Sequence, residues 1–201
     1  MRLREEYREE TVINRSRFIA CCAPAFTEDQ ARDHIEKIRK EFSDATHVCT
    51  AYMLGENNTI QRSSDNHEPA GTAGVPILES IKKSGLSDVC VCVVRYFGGV
   101  KLGAGGLIRA YSGSCASALA NAPKVEDVPF GCYAVTYPYA MSGTLEGWLR
   151  RNTTVIETEY DEQVTCTFLS DQPDIEKKVR DISRGTVEAV FLETVMMEKD
   201  V

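Results

Sequence analysis

The stretch that decides the fold is Asp88-Val-Cys-Val-Cys-Val-Val-Arg95-Tyr-Phe-Gly-Gly-Val-Lys-Leu-Gly-Ala-Gly-Gly-Leu-Ile-Arg109. Its first part, to Arg95, is a continuous β-branched run, the pattern of a central strand covered on both faces. Five glycines follow between Gly98 and Gly106, and from there to Ala122 the spacing predicts a helix. Ile108, Tyr111, Cys115, Ala118, Leu119 and Ala122 form one apolar face of that helix. Gly106, Ala110, Gly113 and Ala116 keep another side narrow, where a neighbouring element can pack closely. Strand, glycine-rich loop and helix in that order form the centre of an α/β unit.

Upstream, Ser16 to Ala23 reads as a strand that Pro24 ends. Thr27 with Gln30 three residues later reads as a capping box. The helix it opens has Ala31, Ile35, Ile38 and Phe42 on one face, with His34 solvated on the charged side. Thr46–Leu54 and Thr59–Ser63 read as antiparallel strands joined by the turn residues Gly55-Glu-Asn-Asn58. A polar loop, Ser64 to Gly74, precedes a short helix from Val75 to Lys83, with Pro76 in its first turn and Gly85 at its end. Downstream, Pro123 to Pro129 has proline at both ends and reads as a linker. Beyond it the pattern is strand Cys132–Tyr137, helix Gly143–Arg151, strands Thr153–Glu159 and Val164–Ser170, helix Pro173–Arg184 and strand Thr186–Met197. That β-α-β-β-α-β order is ferredoxin-like. The fold class is therefore α+β, with an α/β domain over residues 1–125 and a ferredoxin-like domain over residues 126–201.

At 201 residues, 43% of them apolar and 26% charged, the chain has material for a real core and lies far from the composition of disorder. The formal net charge of −7 argues against a nonspecific nucleic-acid coat. The charge is uneven: residues 1–130 carry 16 basic and 17 acidic side chains (net −1), and residues 131–201 carry 7 and 13 (net −6). A local basic site in the first domain stays open. The eight cysteines include no C-x-x-C pair and several lie inside apolar runs, so they read as buried structural thiols. The longest clean apolar run, Val89 to Val94, is far too short to span a membrane, and the charged start MRLREEYREE is no signal peptide. The protein is expected in the cytoplasm.

Two segments depart from ordinary core and surface. Ser63-Ser-Asp-Asn-His-Glu-Pro-Ala-Gly-Thr-Ala-Gly74 is dense in hydrogen-bonding groups directly before a helix. Asp65, His67 and Glu68 suit a general acid/base set, although His67-Glu68 lacks the H-E-x-x-H metal spacing. Turn and cap chemistry favours the same residues. In the second segment, Gly98 to Gly106 opens the way for backbone N–H groups to approach a ligand at a helix N-terminus. Arg95, Lys101 and Arg109 add cationic groups. The alternative is that these glycines serve close packing. Neither the P-loop nor the G-x-G-x-x-G fingerprint is completed, and nothing calls for a cofactor or a metal. Among lone candidates, His47 has no paired ligand spacing, Trp148 reads as core, and Arg150-Arg151 and Lys177-Lys178 read as solvated faces.

Ser64-Asp-Asn-His-Glu-Pro-Ala-Gly-Thr-Ala-Gly-Val-Pro-Ile77 and Arg95-Tyr-Phe-Gly-Gly-Val-Lys-Leu-Gly-Ala-Gly-Gly-Leu-Ile-Arg-Ala-Tyr111 resemble the YigZ/IMPACT family, with Ser16-Arg-Phe-Ile-Ala20 as a lesser match. The resemblance covers about residues 10–125, and the layout looks like that of two-domain bacterial members. It implies a first domain similar to the second domain of a small-subunit ribosomal protein, and a ferredoxin-like second domain similar to parts of elongation factor G. It also implies a link to translation, which the family's eukaryotic relatives regulate. The family loop usually runs Asp-Asp-Gly-Glu-Pro, whereas this chain has Asp65-Asn66-His67-Glu68-Pro69. His67 therefore stands where the family has glycine, and can replace it only by adopting the same conformation at some strain.

The leading expectation is a translation-associated regulator that binds RNA or the ribosome. Its site would comprise Asp65, Asn66, His67, Glu68, Gly71 and Thr72 from one loop, and Arg95, Tyr96, Phe97, Gly98, Gly99, Lys101, Gly103, Gly105, Gly106 and Arg109 from the other. Arg95, Lys101 and Arg109 would engage phosphates, and Tyr96 or Phe97 would stack on a base. The second reading is an enzyme on a small phosphorylated or carboxylated ligand, with His67 or Glu68 as acid/base. The third is a protein-interaction module in which no anion binds.

Overall fold

The β-branched run ending at Arg95 is the middle strand of a five-stranded sheet. The computed structural model describes residues 1–201 apart from the side chain of Glu56 and separates into two units, Met1–Glu126 with Asp200–Val201, and Asp127–Lys199. The first unit runs β1 (Arg2–Leu3), β2 (Tyr7–Ile13), β3 (Ser16–Pro24), α1 (Glu28–Glu41), β4 (His47–Leu54), β5 (Ile60–Ser64), α2 (Gly74–Ser84), β6 (Val89–Tyr96) and α3 (Gly103–Asn121). Its sheet has the order β2-β3-β6-β4-β5 and is antiparallel throughout. Strand alternation splits β6 between two cores. Val89, Val91 and Val93 meet α2 and α3, while Cys90, Cys92 and Val94 meet α1. Each such buried side chain contributes about 1.5–3 kcal/mol, so covering both faces makes β6 the anchor of the unit.

Helix α1 begins where the cap predicts: Thr27 Oγ1 accepts from Gln30 N at 3.2 Å. The return bond differs, since Gln30 Oε1 accepts from Phe26 N at 2.7 Å and not from the cap residue. His34, expected in solvent, is only 7% exposed. Its Nε2 lies 3.4 Å from the Cys21 carbonyl oxygen and its Nδ1 3.7 Å from Glu6 Oε1, so Glu6 closes over that side of the helix. Burial lowers the His34 pKa.

In α3 the helix starts at Gly103, three residues before the glycine where the spacing placed it. The buried face carries Leu107, Ala110, Tyr111, Ser114, Cys115 and Ala118, and Ile108 is 42% exposed. Leu107 and not Ile108 is in phase with Tyr111 and Cys115, and Ser114 is buried because its hydroxyl bonds to Thr11 Oγ1 at 2.8 Å. The narrow side is not closely packed along its length: Gly113 and Ala116 are exposed, a Cβ at Gly113 would meet nothing within 4 Å, and both residues line a groove beside α2, which approaches where Ser80 Oγ donates to the Ser112 carbonyl at 3.2 Å. The approach of the glycine loop to the β2–β3 turn requires Gly98. A Cβ there would lie 2.1 Å from the Arg15 carbonyl carbon, which nothing but glycine avoids.

The second unit is carried by β7 (Lys124–Tyr137), α4 (Gly147–Asn152), β8 (Thr154–Tyr160), β9 (Val164–Ser170), α5 (Ile175–Ile182) and β10 (Ala189–Asp200). The sheet order β10-β7-β9-β8 with this chain order is the ferredoxin-like arrangement. Trp148 is partly buried and packs against its core. The linker expected at Pro123–Pro129 is instead the first half of β7. Pro123 precedes the strand and Pro129 lies outside Gly131–Tyr137, the stretch laddered to β9, so neither ring removes a bond from that ladder. All eight cysteines are free and buried.

Candidate functional site

Strand parity builds the site. Arg95 continues the row of Val91 and Val93 towards α3, whereas Tyr96 turns to the α1 side and packs there. The neighbours of Arg95 in register are Phe18 on β3 and His47 on β4. The guanidinium carbon of Arg95 sits 5.6 Å from the Phe18 ring centroid and 5.5 Å from that of Phe97. Arg95 Nη1 donates to Glu68 Oε1 at 2.6 Å, and the two residues are 5% and 8% exposed. Tyr111 OH donates to the same oxygen at 2.8 Å. Burial pushes the Tyr111 phenol well up, which keeps it a donor. One carboxylate thus joins the first motif loop, the end of β6 and helix α3.

A buried ion pair gains little net stability over an apolar pair, but losing one partner strands a charge. Here the pair is supported by the Tyr111 bond and by the two rings on the guanidinium. Its charges cancel, so Arg95 shapes the site without adding net charge to it. Arg95 Nε is buried with no hydrogen-bond partner among the described residues.

The rest of the first loop is largely structural. Asp65 Oδ1 accepts from Ala73 N at 3.0 Å and Gly74 N at 2.8 Å, and Oδ2 accepts from Gly71 N at 2.8 Å. Burial raises the Asp65 pKa, but these three N–H groups outweigh it and leave it lowered. Asp65 therefore caps α2. Thr72 is buried and its hydroxyl closes a turn on the Pro69 carbonyl at 2.6 Å. Asn66 and His67 both have positive φ, 43° and 70°. His67 takes the left-handed conformation at the family's glycine position, with its side chain exposed. The Asn66 carbonyl accepts from His47 Nδ1 at 3.0 Å, which fixes the proton on that nitrogen and leaves Nε2 3.8 Å from Glu68 Oε1.

The two loops meet. A pocket of about 380 Å³ is lined by Thr46, His47, Glu68, Pro69, Arg95, Phe97 and Lys101, and by Leu102, Gly103, Ala104 and Leu107 at the start of α3. Of the residues singled out from sequence, Glu68, Arg95, Phe97, Lys101 and Gly103 line it. Gly98 and Gly99 shape the turn, and Gly105 and Gly106 lie in the first turn of α3. Arg109 is exposed further along α3 and Tyr96 bonds to Asp44 at 2.8 Å, so neither lines the pocket. Sequence reasoning set His47 aside for want of a paired ligand spacing, although strand alternation with Cys49 and Ala51 puts it on the pocket face. It missed Tyr111, which the helical spacing had marked only as core. Among the described residues no group of three or more His, Cys, Asp or Glu side chains could hold a metal ion.

A profile of the Impact N-terminal domain matches residues 14–119, a span that contains both loops and the whole pocket lining. The chain is 44% identical over 163 residues to IMPACT family member YvyE of Bacillus subtilis, covering 81% of this chain and 75% of that protein. It is 32% identical over 187 residues to IMPACT family member YigZ of Escherichia coli, covering 90% of this chain and 92% of that one. A crystal structure of a hypothetical protein matches with a TM-score of 0.61 at 30% identity across 96% of each chain. With more than half of its length inside the family profile and relatives aligned over most of both chains, this protein belongs to the IMPACT family.

Proposed function

We propose that this protein is a translation-associated regulator that acts in the cytoplasm by binding RNA of the ribosome through the pocket of its first unit. The observation that carries this reading is the convergence at the pocket of the α3 start, the exposed Lys101 and the Phe97 ring. The first turn of α3 has no capping side chain, so its free N–H groups and roughly half a positive charge are left for an anion. Six of the seven net negative charges lie outside the first 130 residues, which leaves this site electrostatically open to a polyanion. The link to translation rests on the family.

Sedimentation with purified ribosomes across a salt series tests it. Wild-type protein should cosediment at low salt and be released as salt rises, and Lys101→Glu should bind more weakly at every salt. Equal binding by the variant, or no cosedimentation at low salt, would remove the proposal. A second reading, an enzyme on a small phosphorylated or carboxylated ligand, is favoured by His47, whose Nδ1 is held by Asn66 while Nε2 faces the Glu68 carboxylate in the pocket. It requires a small ligand whose turnover is lost in His47→Gln with ligand binding intact.

A further inference from the structure

We infer that the pocket takes one unpaired nucleotide, its base against Phe97 and its phosphate at the start of α3, so that the protein engages single-stranded or extruded positions of RNA and not duplex. This rests on the reading of the pocket as an RNA site and adds the chemistry and the strandedness of what enters it.

The first observation is the character of the walls. Five of the lining residues, Pro69, Phe97, Leu102, Ala104 and Leu107, are apolar. A phosphate alone would leave that apolar surface wet, whereas the face of a base covers it. The second is Phe97 itself, which is 47% exposed although its ring lies on the buried Arg95 guanidinium. An aromatic ring held on a cation and left half in solvent is a ready stacking platform, and stacking on it is tolerant of base identity. The third is shape. The site is a concavity of about 380 Å³, the size of a small-ligand pocket. Duplex recognition instead needs an element that protrudes into a groove, and a paired base cannot reach the floor of a hollow without leaving its stack. Lys101 and the first amides of α3, on the same rim, take the phosphate.

The test uses the full chain and a short single-stranded RNA carrying 2-aminopurine, compared with the same RNA annealed to its complement. Single-stranded RNA should bind with a change in 2-aminopurine fluorescence, and the duplex should bind several-fold more weakly. Phe97→Ala should weaken single-strand binding by about 5- to 150-fold, the range for loss of one stacked base, while Phe97→Tyr keeps affinity and shows that the ring matters and not the fold. Equal affinity for the duplex, or an unchanged Phe97→Ala variant with Lys101→Glu still impaired, would overturn this inference and leave the RNA reading standing. Absence of binding to either RNA and to ribosomes would overturn both.

Discussion

Removing either partner of the Glu68–Arg95 pair should cost far more than removing both. The two groups share a 2.6 Å bond at 8% and 5% exposure, so Glu68→Leu strands a buried guanidinium and Arg95→Met strands a buried carboxylate. Each single variant should lose about 3–5 kcal/mol. In the double variant no charge is stranded, and the main remaining cost is the Tyr111 hydroxyl without its acceptor, about 1–3 kcal/mol. The coupling energy is therefore at least about 3 kcal/mol. Urea unfolding followed by far-UV circular dichroism measures it. With an m-value near ~2 kcal/mol/M, the midpoint of the first unit falls by roughly 2 M in each single variant and by less in the double. Single losses that simply add in the double, within about 0.5 kcal/mol, would refute the claim that this pair locks the two motif loops together.

Asp65→Ala should destabilise the first unit by about 2–3 kcal/mol, since three backbone N–H bonds at the start of α2 lose a charged acceptor. Because the folded pKa of Asp65 is lowered, its contribution is complete above the unfolded value of about 4 and is lost as pH falls through the folded one. Acid titration of stability should accordingly be shallower below about pH 4 in Asp65→Asn. His67→Gly should stabilise by about 0.5–1 kcal/mol: relief of the left-handed conformation returns about 1–2 kcal/mol, and the added freedom of the unfolded chain takes back about 0.5–1. Thermal melting checks this, with a lower midpoint as the contrary result. All eight thiols should resist an aromatic disulfide reagent at pH 8 until the protein unfolds, since burial pushes Cys21 up to about 11 and Cys49 and Cys115 up to about 12. Rapid native labelling of any of them would contradict the burial.

Periodicity revealed most elements because they are amphipathic: the two-faced run of β6, the capped start of α1 and the six elements of the second unit all sit near where their apolar spacing puts them, whereas β2, which also alternates, went unread because charged residues fill its stretch. Phase was harder to read. Leu107 and Ile108 are both apolar, and only the sheet beneath decides which faces inward. His34 looked solvated because its shield, Glu6, comes from a distant stretch of chain. Pro123 and Pro129 masked a strand whose ladder to β9 happens to avoid both rings. In the site, the two loops stood out by composition, but the pairing of Glu68 with Arg95 is a tertiary fact 27 residues apart in sequence. That pairing changes the chemistry: of three cations expected at the anion, Arg95 is neutralised, Arg109 stands outside the pocket and Lys101 remains at its rim. Parity along β4 and β6 could have placed His47 beside Arg95 and Tyr96 away from it.

Backbone amide chemical-shift mapping of the protein titrated with short single-stranded RNA tests the central claim most directly. The account predicts that Phe97, Lys101, Gly103 and Ala104 shift together with Thr46 and Glu68, because the two loops line one pocket. Shifts that cluster instead in the groove between α2 and α3 lined by Lys83 and Ser112, or in the second unit, would contradict it.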